Sequence, residues 1–232
     1  MKGLDEEAAA VDEEVELSYR TMREAALSQA RYRGLEESGM RPEADVRRVT
    51  WWRVRGLWRA GELLPLAGML GLNVMALWKA RESPDSVPAW AGALPVLALG
   101  AIGFAAKGSL RARRLARVAR QVPHTRMRYL LLHSYAMEAP LIVLFPLPED
   151  SPHPDEDEPV GIIPLPYGPL RDRFRELPGP VGVARISGAL RPGEFAVPWM
   201  GEQPLWPTHT YRKLDLGHPR HLRTVHELIR PE

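Results

Sequence analysis

Two long uncharged stretches lie close together in this chain and constrain it more than anything else. The first is Leu63 to Trp78, LLPLAGMLGLNVMALW, 16 residues; the second is Ser86 to Ala106, SVPAWAGALPVLALGAIGFAA, 21 residues. A short charged segment, Lys79-Ala-Arg-Glu-Ser-Pro-Asp85, separates them. A membrane-spanning helix needs about 17–25 apolar residues. The second run meets that length. The first reaches it by extending back through Trp58, Ala60 and Gly61, with Arg59 and Glu62 at the interface. Run length therefore predicts a two-helix transmembrane hairpin over residues 63–106.

The flanks agree with that expectation. Arg47, Arg48, Arg53, Arg55 and Arg59 precede the hairpin, and Lys107, Arg111, Arg113, Arg114, Arg117 and Arg120 follow it. The connecting turn has only Lys79 and Arg81, offset by Glu82 and Asp85. Basic residues collect on the cytoplasmic side of a membrane. This asymmetry predicts an inner-membrane protein with two spans and both termini in the cytoplasm. Trp51, Trp52 and Trp58 then fall at the inner interface and Trp78 and Trp90 at the outer one, as in an aromatic belt. The arginines beside them are expected to meet anionic lipid headgroups. Small residues four apart, Ala67 and Gly71, Ala89 and Ala93, Ala101 and Ala105, are the expected helix-packing surfaces. Asn73, the strongly polar side chain in mid-span, is expected to bond between helices, with a polar transport path as the sharper alternative.

Residues 4–33 read as a helix that is acidic early and basic late, which suits the helix dipole. Leu4, Ala8, Val11, Val15, Ser18, Met22, Ala25, Gln29 and Tyr32 keep a four-and-three spacing. Half of that seam is small or polar, so an exposed, partly frayed helix is preferred over a coiled coil.

After Pro123 the pattern changes to short apolar runs separated by Pro and Gly. Strands are predicted near 127–135, 141–145, 160–165, 181–187, 195–199 and 209–214, with a short extra one at 204–206. Met200-Gly201-Glu202 reads as a hairpin turn, and Pro169 to Leu177 as one short helix. The expected fold is a membrane α-helical hairpin plus a small mainly-β cytoplasmic domain, a barrel or sandwich with one helix, and an N-terminal helix. The expected boundaries are 1–41 for the acidic helix, 42–62 for the basic Trp-rich segment and 63–106 for the hairpin. They continue as 107–125 for a basic exit helix, 126–216 for the β-domain and 217–232 for a tail.

Composition removes several functions. With no cysteine there is no disulfide framework, thiol nucleophile or Cys-based metal site. A net charge of +2 gives no strong field toward nucleic acid, and the Arg-rich 107–120 segment is better explained by the membrane flank. Only Lys2, Lys79, Lys107 and Lys213 are lysines among 31 basic residues, the usage of a GC-rich bacterial genome. The acidic segment Pro148 to Pro159 lacks the alternating glycine-containing pattern of a calcium loop and reads as a solvated loop. His209, His218, His221 and His226 lack a carboxylate or cysteine at zinc-site spacing and read as solvated. No catalytic or nucleotide-binding motif is present, so no catalytic residue, metal or cofactor is expected.

The basic-flanked hairpin, followed by RYLLLHSY, PLIVLFP, VGVARISG and PLWP, resembles uncharacterised two-span membrane proteins of actinobacteria over about residues 47–215. The resemblance implies membrane localisation and supplies no site residue. The function expected from all of this is a non-enzymatic membrane anchor or adaptor. It would present the β-domain and the N-terminal helix to an unknown cytoplasmic protein, with homo-oligomerisation through the hairpin as a further expectation. Alternatives are a subunit of an oligomeric transporter or channel, and an enzyme whose site lies near His133, Asp172 or His209.

Overall fold

The computed structural model describes residues 17–32, 46–54, 57, 60–82, 94–134, 140–165 and 179–229. The chain divides into two compact units. One combines residues 1–42 with 121–232, and the other comprises 43–120.

In the first unit the described residues form one curled antiparallel sheet of seven strands, a half-barrel. The strands are β1 (Thr125–His133), β2 (Pro140–Phe145), β3 (Gly161–Pro164), β4 (Val181–Ser187), β5 (Val197–Met200), β6 (Gln203–Pro204) and β7 (Arg212–Lys213). Their order is β6-β5-β4-β1-β2-β3-β7. β4 has the bounds that its Gly and Pro neighbours predict. The β5–β6 hairpin turns through Gly201 and Glu202, because Met200 pairs with Gln203. Gly201 has φ +62°, a conformation that glycine adopts without steric cost.

Strand alternation sorts the apolar residues into two cores. Met127, Tyr129, Leu131, Ile142, Leu144, Ile163, Ala184 and Ile186 line one face. Leu130, Leu132, Leu141, Val143, Phe145 and Ile162 line the other. Both faces are buried along β2 and the second half of β1, which is why Pro140–Phe145 and Leu130–Leu132 read as unbroken apolar runs rather than alternating ones. Each fully buried Leu, Ile or Phe contributes about 1.5–3 kcal/mol.

Two helices cover the second face. Helix α1 (Tyr19–Tyr32) lays Tyr19, Met22 and Ala26 against it, and a C-terminal helix, Pro219–Ile229, adds Val225 and Leu228. The start of α1 is fixed locally. Ser18 caps it, accepting the Thr21 N–H at 3.4 Å. The Tyr19 and Arg20 N–H groups donate to the carbonyls of Asp157 and Asp155, at 2.9 and 3.0 Å. This corrects the expected exposed helix, whose residues 1–16 lie outside the described ones. The predicted seam is used within the chain: Met22 and Gln29 are buried, whereas Tyr32 at its end is 78% exposed.

The acidic loop joins β2 to β3 with most of its residues exposed, and it is anchored at Asp157. Arg128, buried in β1, donates to the Pro146 carbonyl at 2.7 Å and the Pro154 carbonyl at 2.8 Å, and pairs with the Asp157 carboxylate. Its guanidinium lies 4.0 Å from the Tyr19 ring centroid. Ser151 Oγ donates to the other oxygen of Asp157. The loop is therefore pinned to the sheet by its carboxylate and carbonyls.

The second unit is a helical hairpin of α2 (Ala60–Glu82) packed on α3 (Leu94–Ala119). Among the described residues no helix is long and apolar enough to cross a membrane. The uncharged part of α2 spans about 24 Å, and that of α3, Leu94 to Ala106, about 20 Å at 1.5 Å per residue. A hydrocarbon core is about 30 Å thick. Of the second uncharged run, residues 86–93 lie outside the described ones. Its described helix starts at Leu94 and continues into the basic segment. The expected membrane fold class, the two transmembrane spans and the inner-membrane localisation are overturned on this finding. What stands is a seven-stranded half-barrel with four helices among the described residues.

Candidate functional site

Three of the residues predicted for membrane interfaces, Trp51, Trp52 and Arg113, are engaged with one another. Arg113 of α3 stacks over the Trp51 ring at 5.4 Å, and Trp51 meets Trp52 edge-on at 5.6 Å. These tryptophans lie in a 3₁₀ turn, Trp51–Arg53. Arg120 donates to the Val46 and Val49 carbonyls at 3.4 and 3.2 Å. Burial lowers the pKa of Arg111. Lys107, Arg114 and Trp78 are exposed. Arg55, Trp58, Arg59 and Trp90 lie outside the described residues, as do Ala89 and Ala93. The reading of these arginines as headgroup ligands rested on the spans.

Of the predicted helix-packing residues, Ala101 and Ala105 fall on the half-buried stripe of α3, and Ala67 and Gly71 are exposed. Asn73 lies on the half-buried stripe of α2. Its Nδ2 donates to Met69 O at 3.0 Å, one turn back in its own helix. A carbonyl of its own helix is thus one partner of this amide.

The enzyme alternative required a concave site near His133, Asp172 or His209. His133 is buried at the end of β1 and His209 is exposed, and neither lines the cleft described below. Asp172 and the predicted helix 169–177 lie outside the described residues. Among the described residues no cluster of His, Asp and Glu has metal-site geometry.

The open cleft of the first unit lies along β7 and has a volume of about 960 Å³. The sheet curls so far that the segment before β5 reaches β7. Tyr211 N–H donates to the Glu194 carbonyl at 2.8 Å, and Gly193 N–H donates to the Tyr211 carbonyl at 3.3 Å. Gly193 makes this approach at φ +85°. On the other side β7 pairs with β3, through Arg212 with Ile162 and Lys213 with Gly161. Leu214 N–H continues that ladder to the Val160 carbonyl at 3.1 Å.

The backbone groups of an antiparallel strand alternate between its two neighbours. Arg212 and Leu214 face β3, so Lys213 faces the same way as Tyr211, away from the sheet. The short seam to residues 193 and 194 takes up the groups of Tyr211. Those of Lys213 turn into the cleft, whose walls include Pro159, Val160, Pro192, Leu216 and His221.

The charges around the cleft are unequally committed. Asp215 Oδ1 accepts the Gly217 N–H at 3.1 Å, closing a turn. His221 Nδ1 accepts the Asp215 N–H at 3.1 Å and holds the same turn from the C-terminal helix. Arg212 and Lys213 are exposed and form no ion pair among the described residues. Glu158, also exposed, lines the same cleft.

Two tyrosines buttress the sheet, Tyr211 at the cleft and Tyr129 between β1 and β4. Tyr211 lies across Gly161, and its hydroxyl donates to the Val160 carbonyl at 3.0 Å. Tyr129 lies across Gly182, its partner on β4, and donates to the Gly179 carbonyl at 3.2 Å. Burial pushes the Tyr129 hydroxyl up to about 12 and raises Tyr211 as well. Both are therefore neutral donors near neutral pH, structural rather than acid–base groups.

Sequence reasoning missed this cleft. The available signal was the charged pair Arg212-Lys213, which makes up β7, set between two buried apolar residues, Tyr211 and Leu214. No known family model matches the chain, and no curated protein or solved structure is significantly similar to it.

Proposed function

We propose that the chain is a non-catalytic binding module whose half-barrel takes an extended, acidic segment of a partner protein along β7. The observation that carries this reading is the outward side of Lys213. Its N–H and C=O face the cleft at the point where the seam to residues 193 and 194 has ended. Strand addition to a sheet edge uses such groups for affinity and flanking side chains for specificity. Arg212 and Lys213 supply the charge, since Asp215 is already committed to its turn. The affinity expected of a single added strand is micromolar, on the order of −8 kcal/mol.

The test is titration of the full chain with a fluorescent octapeptide of alternating Glu and Val. Expected are a micromolar dissociation constant, a shift of the Lys213 amide signal in NMR, and a loss of at least about tenfold in affinity in Arg212→Glu/Lys213→Glu. An unchanged affinity in that double variant, or no binding at millimolar peptide, overturns the reading.

A further inference from the structure

The hairpin of the second unit exposes more apolar surface than a free helix pair sustains in water. Among the residues of α2 whose burial is described, 67–82, the half-buried ones form a narrow stripe, Met69, Asn73, Ala76 and Ala80, and α3 matches it with Ala101, Ala105 and Ser109. The other faces point outward. Val74, Leu77 and Trp78 are 65–71% exposed, and Val96, Leu99 and Phe104 are 70–72% exposed. Twelve large apolar residues of the two helices stand at 45% exposure or more. A large aliphatic or aromatic side chain carries roughly 100–200 Å² when open, so the hairpin leaves on the order of 1,000 Å² of apolar surface. The largest patch on an ordinary monomer is about 300–600 Å². A standard interface takes about 800 Å² from each partner.

We infer that this face is an interface between two copies of this chain, which join their hairpins in a four-helix bundle. No charged side chain occurs on α2 from Leu63 to Trp78 or on α3 from Leu94 to Ala106. The occupant must therefore be equally uncharged over a similar length and area, and an identical hairpin meets both conditions. Two-fold pairing sets the same patch against itself. It also converts a two-helix contact built on small residues into a closed bundle with large residues at its centre. The inference is independent of the binding role assigned to β7.

The test uses the full chain in detergent-free buffer. Sedimentation velocity from about 1 to 100 μM is expected to show a dimer. Leu77→Glu/Phe104→Glu is expected to weaken dimerisation at least about 100-fold, with far-ultraviolet circular dichroism unchanged because both positions are exposed. The chain has no cysteine, so a single introduced thiol reports proximity. Mild oxidation is expected to cross-link Leu99→Cys and not Val183→Cys, which lies on the exposed face of β4. A wild-type chain that stays monomeric at 100 μM, or equal cross-linking of the two thiol variants, overturns the inference. So does flotation of a monomeric chain with phosphatidylglycerol–phosphatidylcholine vesicles, which assigns the face to lipid.

Discussion

Gln29 reaches across 104 positions of sequence to His133: its side-chain Oε1 accepts the His133 backbone N–H at 2.9 Å. Its Nε2 donates to the Leu228 carbonyl at 2.7 Å. One buried amide thus ties α1 to the end of β1 and to the C-terminal helix. A buried donor or acceptor left unsatisfied costs about 1–3 kcal/mol. Gln29→Leu strands one donor and one acceptor, and is expected to lower stability by about 2–4 kcal/mol on that basis. Urea unfolding checks this. Amide exchange at His133 is expected to rise more than at Ile142 in the middle of β2.

The close approach of Tyr211 to Gly161 predicts a second outcome. A Cβ at position 161 enters the ring, whose hydroxyl is held by Val160 and whose body is buried. Gly161→Ala is expected to cost about 1–3 kcal/mol, the usual penalty of overpacking. In a Tyr211→Leu background the added cost should vanish, a non-additivity that a double-mutant cycle measures. Equal costs in both backgrounds contradict the contact.

Alkaline pH provides a third measurement. The folded Tyr129 hydroxyl titrates at about 12, above its unfolded value near 10. The neutral form is favoured by folding, so its stabilisation is complete below about pH 10 and is lost as pH rises toward 12. Tyr211 shifts in the same direction. Stability is expected to fall between pH 10 and 12, with a smaller fall in Tyr129→Phe. A slope unchanged by Tyr129→Phe places the alkaline loss elsewhere.

The Arg128–Asp157 pair gives a fourth. Both side chains are almost wholly buried, and Arg128 also donates to two loop carbonyls. Removing one member of a buried pair costs about 3–5 kcal/mol because the other charge is left uncompensated. Arg128→Met is expected to fall in that range and to release the 148–159 loop, raising its cleavage by protease. Since the loop carbonyls satisfy the first N–H groups of α1, helicity of α1 is expected to decline together with the pairing. A variant that loses stability while the loop stays protected contradicts this coupling.

How much was legible depended on the distance between partners in sequence. β4 and the Gly201 turn were readable because Gly and Pro mark their ends and the signal is local. The docking of α1 was not, since its buried stripe of Met22, Ala26, Gln29 and Ala30 is too small and polar to advertise a partner lying a hundred residues away. The anchoring of the acidic loop was hidden for a related reason. A charge run reads as solvated unless the opposite charge that receives it is known to be buried, and Arg128 sits inside an apolar strand. The hairpin misled through run length, basic flanks and the spacing of its tryptophans together. Ser86 to Ala106 is uncharged throughout, yet its described helix begins at Leu94 and carries on into arginines. The cleft beside β7 depends on how far the sheet curls, which no local pattern records.

The order of the units along the chain has a consequence for its integrity. Residues 43–120 interrupt a unit that begins before them and resumes after them. In connectivity they are a long loop of the half-barrel, and loop closure grows only slowly more costly with length. A backbone cut between residues 82 and 94 divides the polypeptide without separating any two strands of the sheet. The shorter piece carries α1, whose Met22, Ala26 and Gln29 complete a core and a hydrogen-bond set belonging to the longer piece. The half-barrel is in this sense a naturally bipartite fold, held together as much by the grip of α1 on the sheet as by the peptide chain that joins them.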